Sequence, residues 1–270
     1  MSAGISITRA DVQAHTVSSV CCYCGTGCGV RVQASGDQVL SVTGDADHPS
    51  SQGRLCSKGR TLADTVRRDA ARVREAEWRP RRDAARAPLA LDDALDLAAG
   101  RLAETIRRHG PDAVGFYLSG QLLTEDYAVF NKLARALVGT NNIDTNSRLC
   151  MSSAVSGYKK TLGADAPPAC YDDLDRADMV LIAGSNMAYA HPVLFRRLEA
   201  AKAARPDMKI VVVDPRRTDT AGIADLHLAI APGSDVALFL AMMNVMERED
   251  LIDRDYIARH TAGFDALRAR

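Results

Sequence analysis

The sequence lacks an excess of charge of either sign. Lysines and arginines number 34 together, and aspartates and glutamates also number 34. A protein that binds nucleic acid or an anionic membrane through its overall charge needs a positive balance. We therefore expect neither nucleic acid nor a membrane as a partner, and the substrate has to be inferred from local sites.

Long apolar runs are also missing. No stretch reaches the 18 or so apolar residues of a transmembrane helix. The first twenty residues contain neither a twin arginine nor the apolar core, about 7–15 residues long, of a secretory signal. The seven cysteines, an odd number, are grouped rather than spread as pairs, which suits a reducing compartment. These features predict a cytoplasmic location.

The grouped cysteines predict a metal centre near the N-terminus. Four of them are spaced C-x2-C-x3-C and then 28 residues further on: Cys21, Cys24, Cys28 and Cys56. Glycines alternate through the first loop and allow it to curl around an inorganic core. Four thiolates at this spacing fit a [4Fe-4S] cluster.

Two alternatives remain at this point. A zinc site usually repeats C-x2-C in two knuckles, whereas Cys56 has neither a second cysteine nor a histidine within five residues. Cys22 would replace Cys21 only by giving C-x-C-x3-C, which brings two sulfurs too close along the loop, so we interpret Cys22 as a bystander. A single cysteine such as Cys170 is by default a small buried apolar residue.

The chain is expected to have four parts. Residues 1–17 form an N-terminal tail, and residues 18–60 a small β-rich cluster-binding unit with a hairpin around Gly36. Residues 61–90 form an arginine-rich connector, with eight arginines against four acids between 67 and 86. We interpret this charge cluster as a solvated face or linker; the alternative is a docking strip for an acidic electron donor.

The remaining part, residues 91–270, alternates helical and strand patterns. Helices are expected over 91–110 and 122–139, from near Pro192, and after Gly233-Ser234-Asp235, and apolar strands over 113–118, 179–184 and 209–214. Continuous apolar strands are typical of parallel sheets covered on both faces. The pattern predicts an α/β fold: a doubly wound, mostly parallel nucleotide-binding domain with ligands at the carboxyl ends of its strands.

Small polar residues follow two of these strands. Gly184, Ser185 and Asn186 lie between a strand and a helix, where backbone N–H groups can hold a phosphate. Asp214 ends the next strand, where a carboxylate commonly accepts hydrogen bonds from ribose hydroxyls. The G-x-G-x-x-G fingerprint of ordinary NAD binding is absent from these loops. Asp235 is either an acceptor for guanine N–H groups or a plain helix N-cap.

Cys150 lies in the stretch NSRLCM, at a predicted loop-to-helix junction beside Arg148. A neighbouring cation and a helix N-terminus favour its thiolate. Three interpretations remain: a metal ligand, a nucleophile or a buried thiol. No catalytic histidine is evident, so the nucleophile ranks last.

Taken together, these motifs carry a resemblance. CYCGTGCGV, GRLCSKGR, NSRLCMSSAVSGYKKTLGADAPPACYDDLD and GSNMAYAHP with VVVDPRRTDTAGIADLHLAIAPGSD resemble the N-terminal portion of the molybdopterin oxidoreductases that bind a bis-molybdopterin guanine dinucleotide. Within that family they resemble bacterial assimilatory nitrate reductase catalytic subunits. The resemblance covers about residues 18–250. The third stretch discriminates best, because related formate dehydrogenases commonly have selenocysteine, or cysteine in another setting, there.

The resemblance implies roles for individual residues. It makes the four N-terminal cysteines the cluster ligands, Cys150 the protein ligand to molybdenum, and Lys58 the cation between cluster and pterin. Gln121 and Asn146 fall where the family contacts the pterin. Three segments fall where it holds the nucleotide ends: Ala183, Gly184, Ser185, Asn186 and Met187 within 183–190; Asp214, Pro215, Arg216, Arg217 and Thr218; and Gly233, Ser234 and Asp235.

The implied reaction is the two-electron reduction of nitrate to nitrite. The implied cofactors are a [4Fe-4S] cluster, molybdenum and two molybdopterin guanine dinucleotides per complete protein. Arg148 would steer nitrate or form a salt bridge with a phosphate or a neighbouring acid. Electrons would come from a donor protein or domain: ferredoxin, flavodoxin or an NADH-linked reductase.

Rival functions are formate oxidation and non-catalytic electron transfer on the same fold. Family catalytic subunits are much longer, so we expect a fragment, inactive alone, or a chain completed by a partner.

Overall fold

The structure is a computed structural model that describes residues 13–66, 73 and 75–269. The chain divides into two compact units, unit 1 (Met1–Cys170) and unit 2 (Tyr171–Arg270). The predicted boundaries at residues 18, 61 and 91 stay predictions, and residues 1–12 of the predicted tail lie outside the described residues. Each unit is described below by itself.

Unit 1 begins with an antiparallel sheet in the order β1-β2-β3. Its strands are β1 (His15–Val20), β2 (Gly29–Ser35) and β3 (Gln38–Gly44). The predicted hairpin is confirmed: β2 and β3 pair on either side of a tight turn in which Gly36 has a φ of 58°. A left-handed φ favours glycine because it has no Cβ. The loop between β1 and β2 carries the first cysteines of the metal motif.

A short helix, α1 (Ser57–Arg60), precedes the connector. The described part of the connector contains a 3-10 turn (Leu62–Val66) and a pair of antiparallel strands, β4 (Ala76–Trp78) and β5 (Ala87–Leu89). The described arginines at 79, 81, 82 and 86 are exposed, as a solvated face requires. The arginines at 67, 68, 72 and 74 lie outside the described residues.

The second half of unit 1 alternates helix and strand. Its elements are α2 (Leu91–His109), β6 (Phe116–Leu118), α3 (Thr124–Asn131), β7 (Ile143–Thr145) and α4 (Asn146–Thr161). Helix α2 ends at Gly110, with a φ of 81°, directly before Pro111, and the π-helical segment Lys132–Val138 continues α3. Strands β6 and β7 are parallel, with Leu118 opposite Thr145. Their carboxyl ends therefore lie side by side.

Unit 2 is built on a parallel sheet in the order β10-β9-β8. Its elements are α5 (Tyr171–Arg176), β8 (Met179–Ala183), α6 (Met187–Ala190), α7 (Pro192–Ala204), β9 (Lys209–Val213), β10 (Leu226–Leu228), α8 (Asp235–Arg248), α9 (Arg254–His260) and α10 (Phe264–Arg268). A cluster of buried residues joins α7 to the central strand: Ile182, Leu198, Ala201, Met208, Ile210, Val212 and Ala221. The predicted α/β class is confirmed, with the parallel strands distributed over one small sheet in each unit.

A buried arginine fixes α5 to α7 in unit 2. Arg197 is only 3% exposed and donates to both oxygens of Asp175 at 2.9 Å and to Asp172. Hydrogen bonding to Asp175 raises the pKa of the guanidinium above its ordinary value, against the opposing effect of burial. The charge is therefore compensated by hydrogen bonds, as a buried ion requires.

No helix within the described residues is both long and apolar enough to cross a membrane.

Candidate metal centre and cofactor sites

The first three cysteines lie in the loop that joins β1 to β2. The antiparallel ladder ends at the pair Val20–Gly29, and the Cys21 N–H then donates to the Cys28 carbonyl at 2.8 Å. A tight turn follows from the hydrogen bond between Gly27 N–H and the Cys24 carbonyl at 3.2 Å, with Gly27 at a φ of 62°. The sheet therefore closes the loop at its base and turns it back on itself, as the spacing predicts.

Three other thiols act on Cys28. This residue is 6% exposed, and burial, followed by the negative charges of Cys24, Cys21 and Cys56, raises the pKa of its thiol to about 11. Cys56, distant in sequence, is thus close enough to affect Cys28. A metal cluster supplies the positive charge that stabilises all four as thiolates, so this donor set fits a [4Fe-4S] group.

A site for a single metal ion needs ligands that converge on one point, which is a different geometry from that of a four-iron cluster. Within the described ranges, no three or more His, Cys, Asp or Glu side chains form a group that holds one metal ion. A cubane takes one thiolate at each of its four irons, so its ligands surround a larger core. Cys22 is exposed, and Cys28 responds to the charges of the three predicted partners rather than to Cys22. Its interpretation as a bystander stays a prediction.

Lys58 lies two residues after Cys56, in α1. Its Nζ atom is 6.0 Å from the centre of the Tyr23 ring, and Tyr23 belongs to the cysteine loop. An ammonium group over an aromatic face at this distance is a weak cation–π contact, about 0.5–1 kcal/mol at an exposed site. The contact holds the Lys58 charge beside the loop that carries the thiols.

Gln121 and Asn146 extend this loop towards Cys150. The Gln121 Nε2 group donates to the Tyr23 carbonyl at 3.1 Å, and the neighbouring Gly120 N–H donates to Asn146 Oδ1 at 2.5 Å. A Cβ on Gly120 would overlap the Ser147 hydroxyl, so the loop after β6 approaches the start of α4 closely. The loop that carries three predicted cluster ligands is thus joined to the predicted pterin residues by direct contacts within unit 1.

Cys150 is the fifth residue of α4 and is exposed. The prediction of a loop-to-helix junction was wrong by one turn, because β7 ends at Thr145 and the helix begins at the next residue. The helix dipole acts mainly within the first turn, so its effect on the thiol is small. The interpretation as a merely buried thiol is also wrong, and the same correction applies to Cys170, which is exposed.

Arg148 forms an ion pair with Asp144 of β7 at 3.4 Å, with both side chains well exposed. The predicted alternative of a salt bridge to a neighbouring acid is therefore present. Exposed pairs of this kind contribute about 0–1 kcal/mol, so an anion can displace the carboxylate. The arginine lines an open cavity of about 640 Å³ together with Ser147, Met151 and Ser152.

The predicted nucleotide segments of unit 2 meet at one edge of the sheet. Ala183 pairs with Val213, and Val213 with Leu228, so the loops after β8, β9 and β10 all leave the carboxyl edge. Gly184, with a φ of 59°, donates its N–H to the Val213 carbonyl at 2.9 Å. Parallel strands thus bring Gly184, Asp214 and the segment before α8 to the edge where α/β proteins bind ligands.

Hydrogen bonds order the first two of these loops. Asp214 Oδ1 accepts from the Arg216 N–H at 2.8 Å, which shapes the turn through Pro215. Thr220, fully buried, donates to Asn186 Oδ1 at 3.0 Å and accepts from the Ala188 N–H at 3.0 Å. Thr218 Oγ1 is buried and has no partner among the described residues. An unsatisfied hydroxyl in the segment after β9 fits a polar ligand at this edge.

The third segment begins α8. Gly233 has a φ of 84°, Ser234 is the N-cap residue, and Asp235 is the first residue of the helix. The interpretation of Asp235 as a plain N-cap is therefore wrong. Its carboxylate is exposed and makes no hydrogen bond within the part of the chain that the structure describes.

Sequence reasoning missed several residues that shape these sites: Tyr23, Ser50, Ser51 and Thr220. Their partners lie far along the chain or bind through the backbone, and neither feature leaves a periodic pattern. Tyr23 alone had a local signal, its position inside the cysteine loop.

The amino-acid sequence of the chain is similar to those of several known proteins. A nitrate reductase of Klebsiella oxytoca is 50% identical over 88% of the chain, and a periplasmic nitrate reductase of Desulfovibrio desulfuricans is 43% identical over 93%. An F420-dependent formate dehydrogenase alpha subunit of Methanococcus maripaludis is 35% identical over 93%. The chain spans between 27% and 36% of the length of these relatives.

The solved structure of acetylene hydratase from Pelobacter acetylenicus superposes with a TM-score of 0.76 at 25% identity, over 94% of this chain and 34% of that one. The molybdopterin oxidoreductase Fe4S4 domain model matches residues 14–68, which hold all four predicted cluster ligands. The molybdopterin oxidoreductase model matches residues 90–265, more than half of the chain. The chain therefore belongs to the molybdopterin oxidoreductase family.

Proposed function

We propose that this chain forms part of a molybdenum-dependent nitrate reductase, which converts nitrate, two electrons and two protons to nitrite and water. One observation carries the proposal: contacts within unit 1 run from the cysteine loop through Gln121 and Gly120 to Asn146, which begins the helix of Cys150. An electron site and a substrate-side thiol joined in this way suit a redox enzyme better than a passive binding module.

The chain's own residues would hold the cofactors. The four N-terminal cysteines would bind the [4Fe-4S] cluster, Cys150 would bind molybdenum, and the carboxyl edge of the unit 2 sheet would bind the guanine dinucleotide form of the pterin, two of which we expect per complete protein. When bound, the cluster supplies one-electron transfer, and molybdenum with its pterin supplies oxygen-atom transfer. Lys58 places a positive charge beside the cysteine loop, where it favours the arrival of an electron.

Arg148 would attract the anionic substrate. Its present partner, Asp144, is exposed and weakly bound, and the guanidinium presents a planar set of donors that matches an oxyanion. The open cavity beside it admits a small ion. In this proposal nitrate competes with Asp144 for Arg148 while Cys150, two residues further along α4, holds the metal.

Cys150→Ala tests the proposal in the full protein with its cofactors bound. We expect nitrate reduction with a reduced dye to be abolished, while the EPR signal of the cluster remains. Cys170→Ala, which removes another exposed thiol, should leave the activity unchanged. Retained nitrate turnover in Cys150→Ala would contradict the assignment.

Formate oxidation is the second candidate, because a formate dehydrogenase is among the relatives. Dye turnover with nitrate and with formate, measured on one preparation, distinguishes the two reactions. An assimilatory role and a cytoplasmic location stay predictions, as does the electron donor (ferredoxin, flavodoxin or an NADH-linked reductase); one relative is named a periplasmic enzyme.

A further inference from the structure

The loop after β3 packs against the cysteine loop before it reaches Cys56. Asp45, 9% exposed, donates its N–H to the Gly29 carbonyl at 3.0 Å, and its own carbonyl accepts from the Gly53 N–H at 2.8 Å. A Cβ on Gly44 would overlap the Gly53 carbonyl. Residues 45–53, here called the support loop, are therefore held tightly in place next to Cys28.

Two adjacent serines of the support loop bind the peptide groups on both sides of Cys28. The Ser50 hydroxyl donates to the Gly27 carbonyl at 2.6 Å, and Ser51 Oγ, in a residue only 1% exposed, accepts from the Gly29 N–H at 3.2 Å. The Gly27 carbonyl shares its peptide with the Cys28 N–H, and the Gly29 N–H shares its peptide with the Cys28 carbonyl. The orientation of Cys28 is therefore fixed from both directions.

The Ser50 contact also directs the Cys28 amide. In a trans peptide the C=O and N–H groups point in opposite directions, so a carbonyl held by Ser50 turns the Cys28 N–H away from the support loop. When the cluster is bound, that amide would be available to donate to a sulfur of the cluster or of its ligands.

His48 forms a hydrogen bond with the Ser50 hydroxyl. The single hydroxyl proton of Ser50 goes to the Gly27 carbonyl, so the contact of 2.9 Å between His48 Nδ1 and Ser50 Oγ requires the proton on Nδ1. The His48 ring also occupies the space beside Gly29, where a Cβ would overlap it. Imidazole, hydroxyl and carbonyl form one chain that ends at the peptide before Cys28.

We propose that Ser50 and Ser51 clamp the peptides that flank Cys28, and that Ser50, supported by His48, is a positioning residue that sets the reduction potential of the cluster. An N–H group that donates to a ligand sulfur stabilises the more negative, reduced cluster and raises its potential. The inference rests on the cluster of the proposed function and adds the residues that tune it.

Ser50→Ala tests the proposal in the full protein, purified without oxygen and with its cofactors bound. We expect unchanged iron content and a lower midpoint potential in an EPR-monitored titration. At a fixed potential the ratio of reduced to oxidised cluster should fall up to about tenfold, about 59 mV for a one-electron couple. Ser50→Thr keeps the hydroxyl and should restore the potential. Ser41→Ala, which removes an exposed serine hydrogen bond in the hairpin, is the matched control.

A second variant covers the case in which Ser50→Ala loses its cluster. His48→Phe keeps a ring beside Gly29 and removes the donor to Ser50, so the potential should shift in the same direction by a smaller amount. A potential equal to that of Ser41→Ala, in whichever variant retains iron, overturns the proposal. Wild-type protein without iron contradicts the cluster assignment and the proposed function instead.

Discussion

The two units hold their candidate sites by different means. In unit 2, three loops leave one edge of a parallel sheet whose central residues Ile210 and Val212 are fully buried. In unit 1, the cysteine loop is held by two serine side chains, by the Gln121 amide and by backbone hydrogen bonds. A site on strand ends depends on a core, whereas a site on a loop depends on individual hydrogen bonds and on its metal.

The largest expected effect is a loss of stability in unit 2. Arg197→Ala removes the buried partner of Asp172 and Asp175 and should lower the free energy of unfolding by about 3–5 kcal/mol, nearer the lower value because both carboxylates are partly exposed. Hydrogen exchange of the β9 amides measures this loss. The only tryptophan, Trp78, lies in unit 1, so its fluorescence transition should move less than the exchange rates.

Arg196→Ala is the control, because it removes an exposed arginine from the same helix. It should change β9 exchange by less than about 0.5 kcal/mol. Equal effects of the two substitutions would show that the buried ion pairs do not fix α5 to α7.

The second effect concerns unit 1 after its iron has been removed. A cysteine thiol titrates near 9.0 in the unfolded chain, whereas Cys28 in the fold titrates at about 11. Between these values only the folded state keeps the proton, so the free energy of unfolding falls as pH rises from 9 to 11. A shift of this size corresponds to about 2–3 kcal/mol.

Urea unfolding followed by Trp78 fluorescence measures this dependence. Cys28→Ala should abolish that part of the slope. Identical slopes with and without Cys28 would show that burial and the neighbouring thiols do not act on it as described.

The smallest expected effect concerns two glycines of unit 1, one in close contact with α4 and one in open space. Gly120→Ala places a Cβ against the Ser147 hydroxyl and should destabilise the unit by about 1–3 kcal/mol. Gly100→Ala, inside α2 with open space around it, should stabilise it by up to about 1 kcal/mol. Opposite shifts of the Trp78 transition are expected, and a neutral Gly120→Ala would contradict the close approach of the loop to α4.

The sequence was sufficient where periodicity or spacing carried the information. The hairpin around Gly36, helix α2, and strands β8 and β9 were predicted from local patterns and found close to the expected bounds. The meeting of Gly184 with Asp214 also followed, since parallel strands share an edge.

Contacts between side chains and backbone groups far apart in the chain could not be predicted from the sequence. Thr220 contacts Asn186 across 34 positions, and Ser51 contacts Gly29 across 22. Nothing in local composition marks such pairs, because the partners are brought together only by the fold. The predicted junction at Cys150 was wrong for a simpler reason. Strand β7 passes directly into α4 at Asn146 without an intervening loop.

The amide of Asn146 determines what kind of group can approach the start of α4. The Gly120 N–H requires an acceptor, so the side-chain oxygen must face it. The NH2 end then faces away from Gly120, and it can donate to a ligand but not accept from one. A bound group that meets this end must present a lone pair, so one backbone N–H in the loop after β6 sets the polarity that the amide offers there.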